Sequence, residues 1–551
     1  NWVIDGNKMP KFISDINEGD TGYSHDGTKN KVLKRFEYDI DEELVRIDMN
    51  DGRKITCTKD HKILTNKDGV QIWKKAEEID CEDDIVDSLS LLLKDDNISF
   101  EDFYADNDED VRNDFSSDIV ESLGYFIAPQ YLFSHFTKVL KETNSFDIEE
   151  LDKAISAISE SSLGTQSQHD FEGLFDDMDL KSTKLGKDVK ERSQVIGKVL
   201  ASIDNLDLDF DNAEIDVLGD AYEYLIGMFA QTAGKKAGEF YTPQQVSKIL
   251  ARLVTLNKNK LFSVYDPCCG SGSLLLRVGK ETKVTYYYGQ EKTATTYNLA
   301  RMNMLLHNIQ YQHFEIANGD TLEEPAFMDK KFSAVVANPP YSAKWSADKK
   351  FLEDERFSPY GKLAPSSKAD FAFVCHMLNS LDEDGTMAVV LPHGVLFRGS
   401  AEEQIRKVII RDYNYLDTVI GLPANLFYGT SIPTCILVFK KNRPNKDILF
   451  IDASKEFDKG KNQNLITDEH IHKIIETYKN RQDVEKYAHV ATIEEIEEND
   501  YNLNIPRYVD TFEEEEPVDL QAEFATLTKL QNESQNIDEE LDKYFHELGL
   551  K

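Results

Sequence analysis

The pattern of hydrophobic and polar positions begins with a β-rich segment, residues 1–88. Phe36–Met49 alternates loosely between the two kinds of residue, and Lys54–Leu64 continues in the same extended pattern. Asp51-Gly52 lies between these runs and is a strong hairpin-turn signal. The segment therefore predicts paired strands joined by tight turns.

The pattern changes to helical spacing over residues 89–235, and then to an alternation of strands and helices over residues 236–512. Asp216–Ala233 is the strongest of the helical stretches. In the later part, apolar runs such as Phe262–Tyr265 are followed by helical stretches such as Ser273–Gly279. We predict a helical domain followed by an α/β domain with a Rossmann-like, doubly wound sheet.

The tail, residues 513–551, begins with the acidic run Glu513–Pro517. Apolar residues then recur at nearly heptad spacing between Leu520 and Leu548. This predicts a long amphipathic C-terminal helix, whose apolar stripe either docks another subunit or packs on the chain itself.

Charge bears on any nucleic-acid function. The formal net charge is −38, whereas DNA binding draws much of its affinity from Lys and Arg beside phosphates. A chain this acidic that acts on DNA needs a local basic patch or a partner that holds the duplex. The same charge also suits an ordinary solvated surface, which is the alternative.

Composition and cysteine spacing limit the class of protein and its expected cellular location. Hydrophobic residues make up 40% of the chain, which is enough for a substantial core. There is no run of about 18 apolar residues and no leader pattern, so we expect no membrane span. The six cysteines include no CxxC pair, so we expect no metal site and a reducing, cytoplasmic location.

The first candidate for chemistry is the loop Asp266–Ser273, which follows an apolar strand and opens a helix. Gly270, Ser271, Gly272 and Ser273 are small enough for a ligand to approach the backbone, and the helix N-terminus offers N–H groups. The loop lacks the Gly-Lys-Ser/Thr of a phosphate-binding Walker loop. By itself it is a weak sign of nucleotide-like binding.

Two acids stand at the ends of the next predicted strands. Glu291 lies 25 positions after Asp266, close to the spacing at which βαβ cofactor sites place an acid on ribose hydroxyls. Asp320 ends the following strand and could receive the amino group of a cofactor adenine. An ordinary turn acid is the alternative for Glu291, and Asp320 by itself is a weak sign.

Asn338-Pro339-Pro340-Tyr341 ends a further apolar strand. The two prolines impose a rigid, extended turn that would present the Asn338 amide and the adjoining carbonyls in fixed directions. Those acceptors can hold an exocyclic amine, and Tyr341 offers a flat face to a flipped base. A purely structural Pro-Pro turn is the alternative, which the signals at the three earlier strand ends disfavour.

The order of these motifs resembles that of the gamma-type amino-methyltransferases and, more closely, the modification subunit (HsdM) of type I restriction–modification systems. The resemblance extends from about residue 89 to the end of the chain. The matching segments are Leu123–Ile127, Gly238–Pro243, Asp266–Ser273, Gln290-Glu291, Asn298–Met304, Asn338–Tyr341, Leu391–Phe397 and Gly421–Thr434. One departure is Cys268-Cys269, where small residues such as alanine are common.

This resemblance implies an enzyme, a site-specific DNA-methyltransferase (adenine-specific) that transfers a methyl group from S-adenosyl-L-methionine to N6 of adenine in double-stranded DNA. It implies that Asn338, Pro339, Pro340 and Tyr341 hold the flipped adenine. The implied cofactor contacts are Glu239, Phe240, Tyr241, Thr242, Pro243 and Gln244 at the methionine end, Asp266, Gly270, Ser271, Gly272 and Ser273 through the loop, Glu291 at the ribose and Asp320 at the adenine.

The resemblance also implies partners. A specificity subunit is expected, with two modification subunits to one specificity subunit, and a restriction subunit can join them. The predicted C-terminal helix is the expected docking element. The specificity subunit would choose the DNA target sequence.

Residues 1–88 resemble part of an intein-type (Hint) domain instead. The similar segments are Phe12–Asp20, Thr58–His61 and Trp73–Ala76. Asn1 stands where a Cys or Ser nucleophile is expected, so the resemblance implies a segment that does not splice. An unrelated β-domain is the alternative.

Two other functions stay open on the sequence. Asn-Pro-Pro-Tyr also serves the methylation of glutamine amides in proteins, and such a chain could act as a scaffold that binds cofactor without turnover. The long helical domain favours DNA over a protein substrate. The intact Asp266, Glu291, Asp320 and Asn338 disfavour the scaffold.

Overall fold

The computed structural model describes most of the chain. The described residues are the short strands between Trp2 and Ile85, Phe100 and Tyr104, and the ranges 109–206, 217–232, 242–427, 430–461, 463–511 and 520–550. Of the predicted site residues, Glu239, Phe240 and Tyr241 lie outside them. Most of the intein-like segment Phe12–Asp20 lies outside them, and so does His61.

Short antiparallel strands occur in the first part of the chain, as the alternation predicts. Within the described residues they are β1 (Trp2–Ile4), β2 (Pro10–Phe12), β3 (Thr21–Tyr23), β4 (Lys29–Lys31), β5 (Leu44–Asp48), β6 (Lys54–Thr58), β7 (Lys62–Lys67), β8 (Val70–Lys75) and β9 (Asp84–Ile85). β1 pairs with β2, β3 with β4, and β7 with both β8 and β9. The predicted hairpin is confirmed, because β5 pairs with β6 and Asp48 lies opposite Lys54.

Helices make up the next part of the chain. They are α1 (Glu109–Leu123), α2 (Phe133–Thr143), α3 (Ile148–Ser161), α4 (Gln168–Phe171), α5 (Val189–Asp204) and α6 (Val217–Thr232). The carboxylates of Asp147 and Asp188 cap α3 and α5, and Phe136 and Leu200 share a small core. The predicted helical character is confirmed, and α6 matches the predicted helix Asp216–Ala233 within one residue at each end.

A nine-stranded sheet, counted within the described residues, forms the core of the α/β part. Its strands are β10 (Lys260–Asp266), β11 (Lys283–Glu291), β12 (Phe314–Asn318), β13 (Phe332–Ala337), β14 (Leu381–Pro392), β15 (Leu416–Gly421), β16 (Thr434–Lys440), β17 (Ile448–Asp452) and, after the small hairpin β18 (Asp458–Lys459) and β19 (Asn464–Leu465), β20 (Ala488–Ala491). The order across the sheet is β12-β11-β10-β13-β14-β16-β15-β17-β20. Neighbours from β12 to β14 are parallel, whereas β16 runs antiparallel to both β14 and β15.

Helices connect and cover these strands, which are buried on both faces. The helices are α7 (Gln244–Thr255), α8 (Ser273–Glu281), α9 (Ala294–Leu306), α10 (Asp370–Ser380), α11 (Ala401–Lys407), α12 (Asp468–Asn480) and α13 (Ile493–Glu498). Val335 and Val336 are consecutive on β13 and belong to two different hydrophobic clusters, because successive strand residues point to opposite faces. The Rossmann-like prediction is thereby confirmed.

The strand order places a crevice at the carboxyl ends of β10 and β13. From β10 the chain moves outward to β11 and β12, and it then returns to β13 on the other side of β10. Such a reversal separates the two outgoing loops, and ligands of doubly wound sheets bind in the gap between them. The loop that follows β10 and the turn that follows β13 therefore face the same crevice.

The C-terminal helix α14 (Leu520–Glu547) is present as predicted. Its apolar residues Phe524, Leu527, Leu530, Ile537 and Leu541 are 44% to 71% exposed. Among the described residues, nothing of the chain itself covers this stripe, and its role in docking another subunit stays a prediction. No helix in the described part is long and apolar enough to cross a membrane.

Candidate active site

Two left-handed glycines shape the loop between β10 and α8. Gly270 and Gly272 have φ values of +54° and +79°, which L side chains adopt only at a cost. A Cβ on Gly272 would also lie 3.0 Å from the Cε atom of Met304. The Asn303 amide donates to the Ser271 carbonyl at 2.9 Å. The predicted small-residue loop is thus held in one conformation at the N-terminus of α8.

Glu291 lies beside this loop, at the end of β11. Its Oε2 accepts the N–H of Gly270 at 3.1 Å, and its Oε1 accepts the N–H of Thr293 at 2.8 Å. Each carboxylate oxygen keeps a further lone pair. Glu291 is therefore fixed in position and can still accept hydroxyl groups from a ligand.

Asp320 follows β12 and is connected to the same loop. Its Oδ1 accepts the N–H of Leu322 at 3.0 Å, and its Oδ2 pairs with the Lys292 ammonium at 2.8 Å. The neighbouring Thr321 hydroxyl donates to the Pro267 carbonyl at 2.5 Å. The segment that carries Asp320 and the loop after β10 therefore hold each other in place.

Asp266 is the buried acid at the end of β10, 2% exposed. Burial raises its pKa to about 7, although the hydrogen bond from the Cys268 N–H opposes the shift. The negative charge of Glu291 contributes to the rise. A carboxyl group with this pKa holds its proton in the folded chain at a pH where the unfolded chain has released it.

We expect Asp266 to make the fold less stable as pH rises from about 4 to about 7. In this window the folded state binds the proton and the unfolded state does not, so raising pH favours unfolding. Asp266→Asn removes this contribution. The free energy of unfolding of the unmodified chain, minus that of the variant, should fall between pH 5 and pH 7 and level off above. Urea unfolding of both proteins at each pH measures it, and a constant difference would contradict the expectation.

Asn338 directly follows β13, and its side-chain amide is hydrogen-bonded through the nitrogen but not through the oxygen in the described part of the chain. The Nδ2 group donates to the Thr242 hydroxyl at 3.0 Å. The Oδ1 atom is buried and has no hydrogen-bond partner in the described part of the chain. A buried acceptor without a partner is costly, so this oxygen is suited to accept a donor that a ligand brings, such as an amine.

Tyr341 closes the same turn. Its ring meets Phe427 edge to face, with centroids 5.7 Å apart and planes at 79°. Burial raises the pKa of its hydroxyl well above the ordinary value, so the group is neutral. Ser342 follows with φ of +52°, and its N–H donates to the Asp370 carboxylate at 2.9 Å. Arg398 pairs with that carboxylate at 2.6 Å.

Arg356 is a buried support of the site that sequence reasoning missed. Its guanidinium donates to the carbonyls of Thr321 and Leu322, each at 3.0 Å, and pairs with Asp354 at 2.7 Å. These two carbonyls belong to the residues directly after Asp320. Arg356 therefore fixes the acid that was predicted to contact the cofactor adenine.

The predicted site residues that are described fall into two connected groups. Asp266, Gly270, Ser271, Gly272, Ser273, Glu291 and Asp320 line the ends of β10, β11 and β12, whereas Asn338, Pro339, Pro340 and Tyr341 follow β13. Thr242 joins the Asn338 group, Pro243 is the N-cap residue of α7, and Gln244 begins that helix. The roles of all these residues remain predictions, including those of Glu239, Phe240 and Tyr241 outside the described residues.

Residues 213–517 match the family described as N-6 DNA methylase. The chain belongs to the N-6 DNA methylase family. The match covers the whole nine-stranded sheet and the turn that carries Asn338. Membership of the N-6 DNA methylase family makes the chain a methyltransferase whose methyl donor is S-adenosylmethionine.

The chain is also similar to named methylase subunits, which is consistent with this family. The methylase subunit of type I restriction enzyme MpnII from Mycoplasma pneumoniae is 44% identical over 411 residues, which are 71% of this chain and 76% of that protein. The MjaVIII methylase subunit from Methanocaldococcus jannaschii is 37% identical, over 62% of this chain and 61% of that protein. The crystal structure of a type I restriction–modification methyltransferase subunit from Streptococcus thermophilus is 49% identical, with a TM-score of 0.69 over 75% of this chain and 87% of that one.

Proposed function

We propose that this chain is the modification subunit of a type I restriction–modification system and methylates N6 of adenine in DNA. The observation that carries the proposal is the Asn338 amide. Thr242 orients it, and its buried Oδ1 has no partner among the described residues. It stands across the crevice from the loop after β10, at which we propose that the methyl donor binds. The curated relatives that support the proposal are named as type I methylase subunits.

The residues present suit S-adenosylmethionine. The left-handed glycines and small side chains of the loop after β10 leave room for close approach, Glu291 keeps acceptor capacity for ribose hydroxyls, and Asp320 keeps it for the adenine amine. Residues 239–244 would close over the methionine end. When bound, the cofactor supplies a methyl group already activated on a sulfonium, so the protein's task is alignment.

Asn338 would prepare the adenine amine for attack. That nitrogen is a poor nucleophile because its lone pair is delocalised into the ring. An acceptor at Asn338 Oδ1 and a prolyl carbonyl of the same turn would take hydrogen bonds from the amine and favour a more tetrahedral nitrogen. Tyr341 would give the flipped base a flat apolar surface. No covalent intermediate and no metal are needed for this reaction.

Target choice and DNA grip would come from a partner. The net charge of −38 opposes duplex binding by the chain itself, and the exposed stripe of α14 offers a surface for a specificity subunit. We propose two modification subunits to one specificity subunit, with a restriction subunit able to join. We also propose the predicted domain boundaries, with divisions near residues 88, 235 and 512, and a cytoplasmic location.

A methyl-transfer assay tests the function. Labelled S-adenosylmethionine is incubated with the chain, the specificity subunit and either duplex DNA or an acceptor protein that contains glutamine. We expect label in DNA and none in protein. Label in the acceptor protein would mean that the substrate is a protein and not DNA. Binding of the cofactor without transfer to DNA or protein would mean that the chain is a scaffold.

We also propose that the first 88 residues are an intein-like segment that does not splice. The support is the motif resemblance and a series of short paired strands. Mass spectrometry of the purified chain should find the full mass. Spontaneous loss of a domain-sized piece of roughly 90 residues would overturn this.

A further inference from the structure

Helix α9 carries two buried polar side chains that the proposed chemistry does not use. The helix begins at Ala294, shortly after Glu291 at the end of β11. Arg301 is 2% exposed and Asn303 is 0% exposed. A buried guanidinium or amide is costly unless hydrogen bonds satisfy it, so the partners of these two residues indicate their roles.

Arg301 holds the end of α4, one of the helices α1–α6 that form the helical part of the chain. One nitrogen of its guanidinium, Nη1, donates to three carbonyls, those of His169 at 2.9 Å, Asp170 at 3.1 Å and Glu172 at 3.0 Å. Nη2 donates to the side-chain carbonyl of Asn298, one turn earlier on α9, at 2.7 Å. The guanidinium therefore fixes the helical part against α9.

The first turns of α9 hold the same part of the chain. The Thr295 hydroxyl donates to Oδ1 of Asp177, and the Asn298 amide donates to Oδ2, each at 2.9 Å. Thr295, Asn298 and Arg301 are spaced three residues apart, so they lie on one face of the helix. This face of α9 therefore binds residues 169–177 of the helical part.

The opposite face of α9 holds the loop after β10. The Asn303 amide donates to the Ser271 carbonyl at 2.9 Å. A Cβ on Gly272 would lie 3.0 Å from Cε of Met304 and 3.7 Å from Cβ of Ala300, so the loop backbone packs directly on these side chains. Helix α9 thus lies between the helical part and the loop at which we propose that the methyl donor binds.

We propose that Arg301 and Asn303 are positioning residues through which the helical part controls the affinity for S-adenosylmethionine. Arg301 fixes α9 to the helical part, and Asn303 transmits the position of α9 to the Ser271 carbonyl. Because α9 is packed on both faces, a change in the docking of the helical part shifts the loop. Linkage requires the converse, so bound cofactor strengthens the docking of residues 169–177 on α9. The proposed function supplies the cofactor on which this inference rests.

Asp177→Ala tests the coupling on the full chain. The variant removes the acceptor of Thr295 and Asn298 from an exposed position in the helical part. In calorimetry we expect it to bind S-adenosylhomocysteine about threefold or more weakly. The KM for S-adenosylmethionine should rise accordingly, while kcat at saturating cofactor stays unchanged. Asp179→Ala is the matched control, because Asp179 is also exposed and its carboxylate accepts the Lys181 N–H. The control should bind S-adenosylhomocysteine normally.

Asn303→Ala tests whether the coupling passes through α9. It removes the hydrogen bond to the Ser271 carbonyl and should weaken S-adenosylhomocysteine binding by about fivefold or more. In the double variant, Asp177→Ala should cause little further loss, because the position of the helical part no longer reaches the loop. Fully additive losses would overturn the coupling.

Hydrogen exchange gives an independent test with Arg301→Met. Bound S-adenosylhomocysteine should slow the amide exchange of residues 169–177 in the unmodified chain and not in the variant. Exchange that is the same with and without ligand in the unmodified chain would overturn the inference.

The binding measurements separate this inference from the function on which it rests. Unchanged S-adenosylhomocysteine binding by Asp177→Ala, or an equal loss in Asp179→Ala, would overturn the inference and leave the proposed function standing. Failure of the unmodified chain to bind S-adenosylhomocysteine would overturn the proposed function as well.

Discussion

Replacing Asn338 by alanine is expected to lower methyl transfer to DNA by on the order of a hundredfold to a thousandfold, while the affinity for S-adenosylmethionine stays unchanged. The variant removes the buried Oδ1 acceptor and the bond to Thr242. It leaves Glu291, Asp320 and the loop after β10 intact, so the cofactor contacts remain. Label transfer to cognate DNA, with the specificity subunit present, measures the first effect, and calorimetry with the cofactor measures the second.

Asn442→Ala is the matched control for this prediction. Asn442 is an exposed asparagine whose amide donates to Asp384 at 3.0 Å. Asn442 follows the end of β16. The start of β16 pairs with the end of β14, at the same edge of the sheet as Asn338, so Asn442 lies at the opposite edge. Its substitution should leave transfer unchanged. Near-normal turnover by Asn338→Ala would contradict the proposed role of the turn.

The turn that we propose to hold the adenine could be located from the sequence because its signal is local. Asn338–Tyr341 directly follows an apolar run, and that run is the buried strand β13. Glu291 and Asp320 stand at strand ends in the same way. In a doubly wound sheet the ends of parallel strands lie at one edge, so local patterns on successive strands identify one site without any knowledge of strand order.

The supports of the site could not be predicted, since they join residues that are far apart in the chain. Arg356 follows the acidic run Glu353–Glu355, which is the pattern of a solvated loop, yet its side chain is 1% exposed. Asp370 receives the Ser342 N–H across a separation of 28 residues. The position of β16 between β14 and β15 could not be predicted either, because apolar runs indicate where strands occur and not their order in the sheet.

Replacing Arg356 by methionine is expected to lower the free energy of unfolding by about 3 kcal/mol or more. Methionine fills much of the volume but donates no hydrogen bonds. It would leave the carbonyls of Thr321 and Leu322 buried without these donors, and Asp354 without its guanidinium. Because the two carbonyls follow Asp320 directly, we also expect weaker binding of S-adenosylmethionine.

The stability lost in Arg356→Met should depend on pH because of Asp354. Burial raises the pKa of this carboxyl, but the hydrogen bonds and charge of Arg356 outweigh it and hold the pKa below the ordinary value. A lowered pKa stabilises the fold above the unfolded-state value of about 4, and that contribution disappears as pH falls through the folded-state pKa. The stability difference between the unmodified chain and the variant should therefore narrow as pH is lowered from 6 toward 3.

Arg411→Met separates this effect from the general loss of an arginine. Arg411 also pairs with a neighbouring acid, Asp412, but the two side chains are 55% and 43% exposed, and surface pairs of this kind contribute little. The control should stay within about 0.5 kcal/mol of the unmodified chain. Urea unfolding gives the comparison as a shift of midpoint at constant slope. Equal midpoints for the two variants would mean that Arg356 does not hold the Asp320 segment in place, and that the cofactor site is fixed by its strand ends and the loop after β10.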